Sequence, residues 1–175
     1  PYGIPPTDNI YLSELDDDIS DRAPKAGVGR IPAESNQEIR FYLNRLRGYE
    51  LGLDLALRNG DDLDRKKILH ISGGTSEEER DQLELFTRSY EKIAEGPELG
   101  AISTLITKDG NDENVVDQTQ TEFIINQTNR GINMLSYLGH GASNVLEIDI
   151  GSPESYNIPN HKYPAYYFSG CLLSN

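Results

Sequence analysis

Apolar positions recur at two periods along this chain, and the change of period marks out its elements. Ile39, Leu43, Leu46, Tyr49, Leu53 and Leu57 recur at three- and four-residue steps, which predicts a long helix with a core-facing stripe. Ser35 and Glu38 form a capping box at its start, and Asn59-Gly60 ends it. A second helix opens at Ser76 and Glu79, another capping box, and runs to about Glu95 with Leu83, Phe86, Tyr90 and Ile93 inward. Thr119 to Asn129 predicts a third, shorter helix. Between the helices lie short apolar runs of strand length, namely Ile68 to Ser72, Ile102 to Thr107, Ile132 to Leu138 and Tyr163 to Ser169. Ala26 to Pro32 is a further strand candidate that stops at a proline.

Strands alternating with helices imply right-handed crossovers. The expected fold class is therefore α/β, a mostly parallel sheet flanked by helices on both faces. Before it, residues 1 to 24 hold turn formers and acids with little periodicity, which reads as an extended acidic segment leading into one α/β domain over residues 25 to 175. The chain starts within Pro1-Tyr2-Gly3-Ile4-Pro5-Pro6 and stops four residues after a cysteine at a strand end, so it is expected to be a piece of a larger protein with further domains.

Composition narrows the function. A formal net charge of -13 leaves no basic patch for phosphates, which speaks against nucleic acid as a partner and discourages docking on anionic lipid. No apolar run approaches the ~20 residues of a membrane span, so no membrane insertion is expected. Of the three histidines and one cysteine, none shows paired metal-ligand spacing, so zinc is not expected. Asp16, Asp18 and Asp21 could hold calcium, a hard ion that takes carboxylate oxygens, although the segment lacks the spacing and glycine of an EF-hand and reads first as a solvated acidic turn. Ser72-Gly73-Gly74-Thr75-Ser76 follows a strand as a phosphate cradle would, but without the P-loop lysine. It reads as a tight turn, with Gly73 and Gly74 placed where they could line a substrate.

Two apolar runs end in reactive side chains beside glycine. One leads to Gly139-His140-Gly141, the other through Ser169-Gly170 to Cys171, the single cysteine. In open α/β sheets the carboxyl ends of strands carry the chemistry, so this pair suggests a base and a nucleophile. Taken alone, an inert buried thiol and a satisfied loop histidine are the competing readings. His70 also ends a strand but has no motif and reads as a core histidine, while His161 reads as a solvated loop residue.

Three stretches resemble the gingipain-like cysteine endopeptidases. Thr7-Asp8-Asn9, Leu15-Asp16-Asp17-Asp18 and Gly27-Val28-Gly29-Arg30-Ile31-Pro32 are similar to the family's leading "SDN…DLDGD…VGRLP" segment. Asn129 to Ala142, ending Tyr137-Leu138-Gly139-His140-Gly141-Ala142, is similar to "GA.LVNYIGHGS", whose histidine is catalytic. Tyr163-Pro164 to Leu173 is similar to "P.VFA.SC.TG", whose cysteine is the nucleophile.

The resemblance implies a caspase-like fold and a cysteine endopeptidase from a secreted or cell-surface bacterial protein, acting on a protein or peptide substrate. It requires no cofactor, although gingipains bind calcium. Cys171 would form a thioester, His140 would protonate the leaving amine, and the Gly141 and Cys171 amides would hold the oxyanion. Ser169 and Gly170 would line the substrate, with Gly170 standing where the family commonly has serine. A sortase-like transpeptidase and a silent peptidase-like binding module are the alternatives. One departure bears on the last. Gingipains orient the histidine with an acid just before the "VGR" strand, and here that place holds Lys25, which cannot accept an imidazole N–H. Another group must then orient His140, a backbone carbonyl for instance, or catalysis is impaired.

Overall fold

The computed structural model describes residues 31–60, 63–108, 118–142, 145–159 and 162–170. Of the strand expected over Ala26 to Pro32, residues 26–30 lie outside them and Ile31 and Pro32 are not in a strand; the boundary expected at residue 24 also lies outside them. Contacts divide the chain into two compact units that meet at Leu43 and Asn44. Helix α1 (Asn36–Asn59) begins as its capping box predicts, with the Glu38 amide donating to Ser35 Oγ and the Ser35 hydroxyl donating to Glu38 Oε1. Gly60 follows it at a φ of 68°, the left-handed stop that glycine accepts most easily.

The second unit is built on a four-stranded parallel sheet. Its strands are β1 (Lys67–Ser72), β2 (Ile102–Thr107), β3 (Met134–Leu138) and β6 (Ala165–Ser169), in the order β2-β1-β3-β6. A two-residue hairpin, β4 (Gly141–Ala142) with β5 (Val145–Leu146), stands apart from it. Helix α2 (Glu77–Ala94) links β1 to β2, and α3 (Gln118–Arg130) lies between β2 and β3.

Strand alternation sends successive side chains to opposite faces. Leu69, Ile71, Leu135 and Tyr137 point to one side, where they bury Ile124 of α3. Ile68 and Met134 point to the other, against Ala94 of α2 and Ala101. The two helices therefore cover opposite faces, as α/β layering requires. β1 and β3, central in the sheet, supply most of the buried side chains, whereas the edge strand β6 is exposed along its length.

Two expected stripes are not buried. In α1, Ile39, Leu43 and Leu46 are each 40% exposed and Leu57 62%, and the side next to the start of β3 is the small one. Gly48, Gly52 and Ala56 there share a cavity of about 470 Å3 with Gly131, Ile132 and Asn133. In α2, Phe86, Tyr90 and Ile93 are exposed, and Thr87 and Ala94 are buried in their place. The reason is close packing: small side chains let the helix axis approach β1 and β2, and Thr87 silences its own hydroxyl by donating to Leu83 O at 2.8 Å.

Candidate active site

The carboxyl ends of the strands lie level. Ser72 pairs with Leu138, and Leu138 pairs with Ser169. Main-chain bonds continue the ladder one step past the strands, with Gly73 N donating to Leu138 O at 2.8 Å and Gly139 N to Ser169 O at 3.2 Å. His140 stands two residues beyond Leu138, and Cys171 stands two residues beyond Ser169 in sequence. Cys171 lies outside the described residues. So do Lys25, His161 and the calcium candidates Asp16, Asp18 and Asp21.

His140 meets a carboxylate. Its Nε2 is 2.7 Å from Oε1 of Glu79, in the first turn of α2. Glu79 is held there by the turn that starts the helix: its amide donates to Ser76 Oγ at 3.2 Å, while Oε2 accepts from the Thr75 amide at 2.8 Å and the Thr75 hydroxyl at 2.7 Å. Those Thr75 bonds, then the His140 ring, hold the Glu79 carboxyl down at about 2. It is ionised and can only accept, so Nε2 carries the hydrogen and Nδ1 is the ring nitrogen left to exchange protons. In return the bond to Glu79 raises the imidazole above its ordinary value, and the Glu147 and Glu79 charges add to it while burial and Lys108 oppose.

In the sequence Glu79 reads as a helix cap alone, and the orienting acid is expected at the position that Lys25 holds. The available signal was geometric. A capping glutamate that follows a Gly-Gly turn at the carboxyl end of β1 lies near the ends of the strands that pair with β1, and one of these, β3, leads to His140.

A second carboxylate holds the main chain. Glu147 Oε2 accepts from the His140 amide at 2.7 Å and from the Gly74 amide at 3.0 Å. Its side chain is 10% exposed, and Lys108 Nζ lies 3.8 Å from Oε1. Tyr137, fully buried, donates its hydroxyl to His140 O at 2.6 Å, and burial pushes that phenol up to about 12. The glycines fit around this carboxylate. A Cβ on Gly73 would stand 2.2 Å from Glu147 Oε2, and one on Gly139 2.8 Å from it. Gly74 sits at a φ of 129°, a conformation that L side chains rarely adopt.

Gly141 opens the β4–β5 hairpin opposite Leu146. Ser169 and Leu138 lie at one end of a largely apolar cleft of about 500 Å3 between α2 and β6, with Ile68, Met134, Tyr90 and Tyr167 on its walls and His70 in its lining. His70 is 2% exposed, as a core histidine should be, and neither ring nitrogen has a hydrogen-bond partner among the described residues. Gly170, next after β6, is exposed.

No group of three or more metal-ligating side chains occurs among the described residues, and no helix there is long and apolar enough to cross a membrane. The family model described as Peptidase family C25 matches residues 1–175. No curated protein and no solved structure matches the chain closely.

Proposed function

The chain belongs to peptidase family C25, the gingipain family of cysteine peptidases, and we propose that it is an endopeptidase in which Cys171 is the nucleophile, His140 the acid–base and Glu79 the carboxylate that orients it. The parallel α/β sheet agrees with the caspase-like fold of that family. The observation that carries the reading is the 2.7 Å bond between His140 Nε2 and Glu79 Oε1 at the carboxyl edge of the sheet. It offers an acid where Lys25 offers none, which supports the active reading over the silent-module one.

The chemistry follows from which nitrogen is free. The Cys171 thiolate adds to the carbonyl carbon of the scissile peptide, and the oxyanion is held by main-chain N–H groups, those of Gly141 and Cys171 in this reading. As the C–N bond breaks, His140 gives its Nδ1 proton to the leaving amine, and a thioester remains. Nδ1, now unprotonated, takes a proton from water as the water attacks the thioester, and the Cys171 thiolate is released. Glu79 keeps the ring turned for both transfers and stabilises the imidazolium that precedes the first and is restored by the second.

Adjacent parallel strands support the pairing of the two reactive residues, because β3 leaves the sheet two residues before His140 and its neighbour β6 two residues before Cys171. The substrate is a protein or peptide, Gly73, Gly74, Ser169 and Gly170 border the place it would occupy, and the setting is extracellular or at the cell surface. Calcium at Asp16, Asp18 and Asp21 belongs to the same proposal.

The test is mass spectrometry after treatment with acyloxymethyl ketone peptides bearing Arg, Lys, Asp or an apolar side chain at the reacting position. Rapid labelling at Cys171 that depends on His140 and on one side chain is expected, with Cys171→Ala and His140→Ala as controls. Labelling no faster than that of a free thiol, in protein shown to be folded, would refute the reading. Transfer of the acyl group to an added amine in preference to water would assign a transpeptidase instead.

A further inference from the structure

Two carboxylates act on His140, and only one of them touches its ring. Glu79 takes the ring N–H, whereas Glu147 takes the main-chain N–H of the same residue. Through the same oxygen Glu147 also takes the Gly74 amide, which lies on the loop after β1. That loop leads within five residues to Glu79. The two halves of the His140–Glu79 pair are thus tied to one atom, Glu147 Oε2.

Several features show that this tie is built. The Glu147 side chain is nearly shut from water, and burying a carboxylate is unfavourable unless it is paired and hydrogen-bonded. Here two N–H donors and the Lys108 ammonium supply that compensation, although Oε1 itself has no hydrogen-bond partner among the described residues. Gly73 and Gly139 lack the Cβ atoms that would displace the carboxylate, so both loops close onto it. Tyr137 holds His140 O, and the Glu147 amide in turn donates to Tyr137 Oη at 3.2 Å. Residue 140 is therefore gripped at its N–H by one group and at its C=O by another, with its side chain left to chemistry.

We infer that Glu147 is a positioning residue: it sets the separation of the His140 ring from Glu79 by fixing the loop after β3 to the turn that starts α2. Its effect on rate rests on the peptidase reading above. Its effect on the His140 ring does not.

The experiment compares the parent protein with Glu147→Ala and Glu147→Gln by NMR and by kinetics. The charged groups that act on the His140 ring are Glu79, Glu147 and Lys108, so the two variants separate loss of the tie from loss of charge. In Glu147→Ala the His140 amide should exchange with solvent roughly ten- to a hundredfold faster, the range of one hydrogen bond to a charged group. Its imidazole should titrate nearer the ordinary histidine value. On a substrate chosen by the labelling experiment, kcat should fall by a similar factor, ~10- to 100-fold, while KM stays within about twofold. Glu147→Gln keeps an acceptor oxygen and the side-chain volume. It should hold the fold, protect the amide and recover most of kcat.

An unchanged His140 amide and ring titration in Glu147→Ala would overturn the inference. So would Glu147→Gln matching Glu147→Ala, because the negative charge, rather than the hold on the main chain, would then be the operative effect. A parent protein without peptidase activity would defeat the functional reading, and the NMR comparison would still decide this one.

Discussion

Gly73→Ala puts the close approach at the carboxyl edge of the sheet to a quantitative test. Gly73 is not among the glycines with positive φ, so alanine meets no backbone strain there and the whole effect is steric. Its Cβ would stand 2.2 Å from Glu147 Oε2, 3.2 Å from Glu147 Cδ and 3.3 Å from Gly139 Cα. The end of a free side chain would swing aside at little cost, but this carboxylate is bonded to two amides, at 2.7 and 3.0 Å. Displacing it gives up two hydrogen bonds to a charged group, about 3–6 kcal/mol before the carboxylate regains water. Rehydration offsets part of that loss, and the stiffer unfolded chain of the alanine variant returns another ~0.4–1 kcal/mol. The expected net destabilisation is about 2–4 kcal/mol. At a few degrees per kcal/mol for a chain of this size, the melting temperature should fall by roughly 5–15 °C. Urea denaturation of Gly73→Ala, Glu147→Ala and the double variant measures the coupling. Once Glu147 has been shortened, adding Gly73→Ala should cost less than about 1 kcal/mol, since residues in contact are not additive. Additive losses in the double variant would show that the glycine does not make room for the carboxylate, and the reasoning would fail.

Two other outcomes follow from the titrating groups. Glu79→Gln retains a side chain that can cap α2 but removes the charge next to His140, so NMR titration should find the imidazole pKa lower than in the parent; a titration that does not move would remove Glu79 from the site. His70 is held below the ordinary histidine value by burial, with the Glu91 and Glu95 charges opposing more weakly. As pH falls through about 6.5 the unfolded chain takes up that proton before the native one does, so native stability declines on the acid side of neutrality. His70→Leu should flatten this part of the stability profile between pH 7.5 and 5.5 in denaturant titrations, and parallel profiles for parent and variant would count against the assignment.

The sequence made some of this legible and hid the rest for identifiable reasons. Both capping boxes were readable because a cap is a local bargain between residues three apart, and Ser76 with Glu79 forms as the spacing predicts. The central strands β1 and β3 were readable because burial on both faces leaves near-continuous apolar runs. The side of α2 that meets the sheet was not. Periodicity favours the bulkiest stripe, Phe86-Tyr90-Ile93, whereas contact with the sheet selected the slimmer one at Thr87 and Ala94. Placing His140 and Cys171 at the ends of neighbouring runs anticipated the β3–β6 pairing. Glu147 carried no signal, since the amides it joins lie 73 and 7 residues away and nothing local distinguishes it from a surface acid. Glu79 was visible in the sequence in one of its two roles only.

That double employment governs how the site can change. A helix start tolerates glutamine at this position as readily as glutamate, and an aspartate shortens the reach to a ring 61 residues away in sequence. Only glutamate satisfies the cap, the length and the charge together. On the proposed peptidase reading, a chain that kept its stability while drifting away from catalysis would need a single change at position 79, and its fold would give no sign of the loss.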